Sequence, residues 1–292
     1  MTVQSKWSDS SVPPEKIAEA YRLACLDELR APKAGNVHDF SDGHGMTVVD
    51  FELSAEVTKD WIARPGARAG ERVRGAIAAT RKAVDTNTNL GIVLMSTPIA
   101  CAAEREGVDD LRSAVGRVLE ALDVEDATNV FQAIVLAEPA GLGDAPENDV
   151  RAPAAVTLLA AMRTAEHRDR IAWNYAHGFA DIFEIGIPTF RRALAQWNDW
   201  RWATAAVHFA VMAAFPDTHI FRQYGADVAG PAQQAAATIH SKLIQARDPS
   251  ILIEEILALD RLLKEKGHNP GTSADLTVAT VFALRLAGAA SA

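Results

Sequence analysis

The chain is short of cysteine, of aromatic residues and of positive charge, and each shortage closes off a class of protein. Two cysteines, Cys25 and Cys101, in 292 residues make no disulfide framework and read as reduced, buried small hydrophobes. Lys and Arg number 29 against 38 Asp and Glu, a formal net charge of -9, the wrong sign for a protein that coats nucleic acid. Aromatics are 7% of the chain while hydrophobic residues are 49%, so the interior is an alanine-rich helical one rather than a disordered coil. The longest apolar runs, residues 92–103 and 207–215, fall short of the about 20 residues that a membrane helix needs. Residues 1–14 are polar and lack the apolar stretch of a secretion signal. A cytoplasmic protein is expected, with residues 1–14 as a flexible N-terminal segment and residues 15–288 as one compact helical domain.

Several catalytic signatures are also missing. There is no Gly-x-x-x-x-Gly-Lys-Ser/Thr phosphate loop, no Gly-x-Gly-x-x-Gly after a strand and no Gly-x-Ser-x-Gly elbow. His38, Asp39, Asp42 and His44 cluster, but their spacing is not that of a structural zinc site and no cysteine is near.

What is present is helical period. Pro13-Pro14-Glu15 reads as a helix start, Ile17, Ala20, Tyr21 and Ala24 trace one face, and Pro32 ends the run. Similar stretches run from near Thr47 to before Arg64, through Val73, Ile77, Thr80 and Val84, from Leu90 to Glu104, and along Leu111, Val115, Val118 and Leu122. Downstream, helices are expected from Pro153, over 171–183, 190–202, 203–215, 232–245, 251–264 and 272–286. The 203–215 run is apolar all round and reads as a central helix. No alternating strand and no fixed repeat is found. The fold class is all-α, a single compact domain of roughly a dozen packed helices.

Function is sought in the polar turns, residues 31–38, 85–91, 141–147, 216–222 and 269–276. Glu28 falls on the apolar face of the first helix, where a carboxylate needs a partner; it is either half of a structural ion pair or a base or ligand lining a cleft. Lys33, before Gly35, is either a solvated cation at a helix stop or a point charge for phosphate. Asn87, Thr88 and Asn89 precede an apolar helix, and capping needs only one of them, which leaves the others for ribose or phosphate oxygens. Asp217 follows Pro216 at the start of a helix, either as dipole complement or as a base or Mg²⁺ ligand, with Arg222 able to meet phosphate. Thr272-Ser273-Ala274-Asp275 has capping-box spacing with Asp in place of Glu. Brought together, Asp217 and Asp275 would share a divalent ion of the kind that carries a triphosphate.

In order along the chain, these segments resemble the ATP:dephospho-CoA triphosphoribosyltransferase family. Glu28, Pro32-Lys33-Ala34-Gly35, Gly43-His44-Gly45-Met46, Phe51 to Ser54-Ala55, Asn87-Thr88-Asn89-Leu90-Gly91, Asp217-Thr218 with Arg222 and Gly225, and Pro270-Gly271-Thr272-Ser273-Ala274-Asp275-Leu276 carry the likeness over about residues 15–288. The resemblance implies an all-helical enzyme that moves a 5-triphosphoribosyl group from ATP to dephospho-CoA and releases adenine. On that footing Asp217, Asp275 and Glu28 are the expected catalytic residues, and Lys33, Asn87, Thr88, Asn89, Arg222 and Ser273 the expected nucleotide-binding ones. Asp217 and Asp275 are the expected ligands of Mg²⁺ entering with ATP. The citrate-lyase type of the family carries Asn-Thr-His-Lys-Gly, so Asn89 and Leu90 here remove a cation. Pro-Lys-Ala-Gly likewise replaces the family's Pro-Lys-Pro-Gly. Gly141-Leu142-Gly143 and Arg168-Asp169-Arg170-Ile171-Ala172 look like a branch found in archaea and one-carbon-metabolising bacteria, for which a different acceptor in one-carbon carrier biosynthesis is the alternative. A non-catalytic nucleotide-binding helical protein, with every Asp a cap, is the other alternative. Small-molecule substrates are expected as partners, nucleic acid and membrane are not, and a homodimer is allowed.

Overall fold

The computed structural model describes residues 11–143, 145 and 147–290, so most of the expected N-terminal segment, residues 1–10, lies outside the described residues. The chain then winds through α1 (Pro14–Arg30), α2 (Val48–Ile62), α3 (Ala69–Ala83), α4 (Leu90–Glu106), α5 (Leu111–Glu120), α6 (Val124–Ala137) and α7 (Leu158–Ala165). After these come α8 (Arg170–Ala176), a π-helical turn (Asp181–Gly186), α9 (Ile187–Trp197), α10 (Trp200–Ala214), α11 (Thr218–Tyr224) and α12 (Ala226–Leu243). A 3₁₀ turn (Pro249–Leu252), α13 (Ile253–Glu265) and α14 (Gly271–Ala290) close the fold. Among the described residues there is no strand, only two isolated bridges within residues 38–46. No helix among them is long and apolar enough to cross a membrane.

Local chemistry accounts for the boundaries. Pro14 sits in the first turn of α1, where its missing amide leaves no acceptor unserved. Thr47 and Asp50 close a capping box on α2, with Asp50 N–H donating to Thr47 Oγ1 and Thr47 N–H to Asp50 Oδ2. The 171–183 and 190–202 stretches are each broken in two. Gly178 and Phe179 take φ of 60° and 58°, Asn198 takes 50°, and Asp199 then caps α10 through the amides of Arg201 and Trp202. The helix expected from Pro153 begins at Leu158, where Thr157 caps it. α6 is absent from the helices expected from sequence, because its buried stripe of Ala127, Val130, Ala133 and Ala137 is made of small residues among polar ones.

Three helices, α4, α10 and α14, are buried on nearly every side and form the centre, with α1 packed along α14 and α4. Pro98 inside α4 leaves the Leu94 carbonyl without its helical donor, and the Tyr175 hydroxyl of α8 donates to that carbonyl at 2.7 Å. Arg72 and Glu104 form a buried ion pair between α3 and α4, and both use their remaining capacity on backbone, Arg72 on the Ile62 carbonyl and Glu104 on the Gly66 amide, each at 2.8 Å. A second apolar cluster joins α10, α12 and α13. Cys25 and Cys101 are free and buried.

Candidate active site

The starts of α4 and α14 open on one cavity of about 490 Å³, whose wall also includes the end of α1, the start of α8, residues 139–143, Asn148 and Val150. Its two ends differ. Glu28, Asn36, Asn89 and Asp275 furnish a polar end, whereas Phe131, Ile134, Leu158 and Met162 of α6 and α7 furnish an apolar one. Ligand sites commonly combine these two textures.

Glu28 lies on the cavity wall and is 2% exposed. Its Oε1 is ion-paired with Lys33, which is 0% exposed and so does not meet the cavity. Lys33 also donates to Asn36 Oδ1 at 3.0 Å, and Asn36 Nδ2 donates to Asn269 Oδ1 at 2.8 Å. Burial raises the Glu28 pKa and lowers that of Lys33, and the attraction within the pair opposes both shifts. The second Glu28 oxygen, Oε2, has no hydrogen bond to a described residue. Gly35, at φ +77°, turns the loop where Pro270 and Leu263 leave no room for a side chain, and its amide donates to Asp260 Oδ1 at 2.8 Å.

Asn87, Thr88 and Asn89 all line the cavity. Asn87 Oδ1 accepts from the Leu90 amide at 3.1 Å, Thr88 shares a hydrogen bond of 2.6 Å with Ser54, and Asn89 Oδ1 accepts from Thr80 at 3.0 Å. The Asn89 Nδ2 amide is buried and has no acceptor. A buried donor without an acceptor is unfavourable unless something else supplies one.

Asp217 and Asp275 look alike in sequence and stand in opposite circumstances. Asp217 is 1% exposed, caps α11 through the amides of His219 at 2.9 Å and Ile220 at 3.3 Å, and accepts on Oδ2 from the Ser273 amide at 2.8 Å and hydroxyl at 2.7 Å. Both oxygens are filled, and neither Asp217 nor Ser273 lines the cavity. Asp275 does line it, half-buried, with no hydrogen bond or ion pair to a described residue. It does not close the expected capping box; α14 already begins at Gly271, and Thr272 instead shares a hydrogen bond of 3.0 Å with Thr218. Burial, then the charges of Asp217, Glu28 and Asp169, hold the Asp275 carboxyl well above the usual carboxylate range.

Arg222 reaches the cavity but is ion-paired with Asp169, whose other oxygen caps α8. Arg168 also lines the cavity and makes no ion pair with a described residue. In the sequence Arg168 carries no local sign of a site, being one cation of the run Arg168-Asp169-Arg170. Among the described residues no group of three or more His, Cys, Asp or Glu is arranged to hold a metal ion. Of the two expected metal ligands, only Asp275 is open to the cavity.

An all-α protein whose cavity carries a carboxylate and a cation without partners has the makings of an enzyme of small, charged substrates. The model of one family, CitG, ATP:dephospho-CoA triphosphoribosyl transferase, matches residues 14–291, and the chain belongs to that family of transferases. A crystal structure of an Archaeoglobus fulgidus protein assigned as a triphosphoribosyl-dephospho-CoA synthase shares the fold, with a TM-score of 0.61 at 22% identity over 81% of this chain and 96% of that one. No curated protein gives a significant match.

Proposed function

We propose that the cavity transfers the 5-triphosphoribosyl group of ATP to a hydroxyl of an acceptor, dephospho-CoA or a related molecule, and releases adenine. The observation that carries this reading is Asp275, a carboxyl group with no hydrogen bond or ion pair to a described residue, on the wall of a cavity in a chain of this family. Breaking the bond between ribose and base builds positive charge on the sugar, as in glycoside hydrolysis, and a carboxylate beside that carbon opposes it. Asp275 takes that role. The acceptor oxygen forms the new bond to the ribose carbon as the carbon–nitrogen bond breaks. Its proton passes to Glu28 at the open Oε2, and adenine leaves with the bonding pair and takes up one proton, so the protons balance. Lys33, itself anchored on Asn36, holds the Glu28 carboxyl in place. Arg168, with Arg222 beside it, meets the triphosphate. Mg²⁺ bound to the nucleotide would neutralise part of the triphosphate charge, and of the two expected metal ligands Asp275 is the one that lines the cavity.

The test is chromatographic detection of adenine after incubation with ATP, Mg²⁺ and dephospho-CoA. Adenine released only with another hydroxyl-bearing acceptor keeps the transferase and replaces dephospho-CoA. ATP bound but no adenine with any acceptor sinks the reading.

A further inference from the structure

We propose that the apolar end of the cavity, between α6 and α7, is the subsite for the purine base of the nucleotide, and that Asp275 stands at the boundary between the base and the acceptor. This rests on the transfer reading above for the identity of the ligand, and on the packing of the helices for its place.

The order in which the helices pack sets the two ends apart. α14 packs along α1 on one side and touches α8 on the other; α8 packs on α7, and α7 on α6. Each of these helices gives the cavity a wall residue: Glu28 from α1, Asp275 from α14, Ile171 from α8, Met162 from α7 and Phe131 from α6. Gly91, at the start of α4, fixes the middle of the series. A β-carbon there would fall within the Asp275 carboxyl group and 2.8 Å from Ile171 Cδ1, so the carboxyl and that methyl group flank one spot. The wall therefore runs from the Glu28 carboxyl, past Asp275 against Ile171, to the lining residues of α6 and α7, none of which is charged.

The chemistry assigns the ends. An oxygen that displaces a group directly approaches the sugar carbon from the face opposite the departing bond. The acceptor hydroxyl has to reach Glu28, so the base departs away from Glu28, past Asp275, toward α6 and α7. A triphosphate at that end would lose its water with no cation to meet it; Arg222, on α11, and Arg168, in the turn before α8, line another part of the wall. A purine has two apolar faces and no charge, and the Phe131 ring and the Met162 thioether are surfaces on which flat rings pack well. With no charged side chain from α6 or α7 to read its edge, the base is selected there by size and by its faces.

The experiment is calorimetric titration of the whole protein with ATP, ITP, CTP, inorganic tripolyphosphate and dephospho-CoA, each with Mg²⁺. In the wild type, ITP, which differs from ATP at the edge of the base, should bind within about threefold of ATP, and CTP, whose single ring fills less of the end, about tenfold more weakly or worse. Ala161→Leu narrows the apolar end and Met162→Ala widens it. Each should weaken ATP about tenfold, the scale of a changed fit in a hydrophobic pocket, and leave tripolyphosphate unchanged. The wild-type comparison needs neither variant, so it stands if one of them fails to fold. CTP binding as tightly as ATP, no binding of ATP, or variants that weaken ATP and tripolyphosphate alike overturn the subsite. Variants that keep ATP and lose dephospho-CoA overturn it too, because they put the acceptor at this end. Adenine release is measured apart from binding. If the base is discriminated and no adenine forms, the subsite stands and the transfer reading falls; if adenine forms and the two variants bind ATP as the wild type does, the reading stands and the subsite falls.

Discussion

The ground behind the cavity and the wall that faces it are built from the same residue types and behave in opposite ways. Behind it, Asp217 has four hydrogen bonds, Lys33 has its ion pair with Glu28, and Asp260 receives the Gly35 amide and Lys264. On the wall, the Asp275 and Arg168 side chains have no hydrogen bond or ion pair among the described residues. The first set fixes turns to helices; the second is left for a ligand. Buried polar groups are almost always satisfied, so the unsatisfied ones mark where the molecule is incomplete by itself.

Removing a charge from the ground should cost most. Lys33→Met leaves Glu28 buried and unpaired, and breaking a buried pair costs about 3–5 kcal/mol. Urea unfolding should show that loss, and adding Glu28→Gln should return part of it. A loss under about 1 kcal/mol would erase the distinction between ground and wall. Asp275→Asn should do the reverse, lowering adenine release about 10²–10³-fold, the scale on which removal of one preorganised charge-stabilising group acts, while the thermal midpoint holds or rises. If the variant turns over at the wild-type rate, Asp275 is not the carboxylate that faces the ribose. Asp217→Asn sits between them. It strips the hydrogen bonds of one oxygen from Ser273, so stability should drop by about 1–3 kcal/mol with activity reduced less than tenfold, and a larger fall in activity than for Asp275→Asn would exchange the two roles.

How much of this was legible in the sequence follows from the range over which each signal acts. Helices with a strong apolar stripe, α1 to α5 and α10, could be read because period 3.6 is a local property. The break at Phe179 could not, since a phenylalanine adopts positive φ there against its ordinary preference. The polar turns were visible, and Glu28, Asn87, Thr88, Asn89, Arg222 and Asp275 do meet at one cavity. What the sequence hid is which carboxylate is filled. Asp217 and Asp275 each follow a proline turn at a helix start, and only Ser273, 56 residues from Asp217, decides between them. The apolar end was hidden for a similar reason: Phe131 and Met162 look like ordinary core residues.

Arg168 tests the wall from its cationic side. Arg168→Ala removes a guanidinium with no ion pair among the described residues, so the unfolding midpoint should hardly move. ATP affinity should fall about tenfold, the value of one hydrogen bond to a charged group, with AMP affected less if the terminal phosphates are its target. Equal weakening of ATP and AMP would put the arginine elsewhere on the nucleotide.

The smallest effect is in the pH dependence of stability, and its sign is specific. Asp275 has a folded-state pKa raised above its unfolded value by burial and by Asp217, Glu28 and Asp169. The protonated form is the one the fold prefers, so the contribution of this group is fully present below the ordinary carboxylate range and is lost as pH rises through the raised value. Asparagine does not ionise. Wild type and Asp275→Asn should therefore match in stability most closely in acid, and the variant should gain on the wild type as pH rises. A gap that opens toward acid instead would mean that Asp275 is held charged by a partner, and the wall would then be ground.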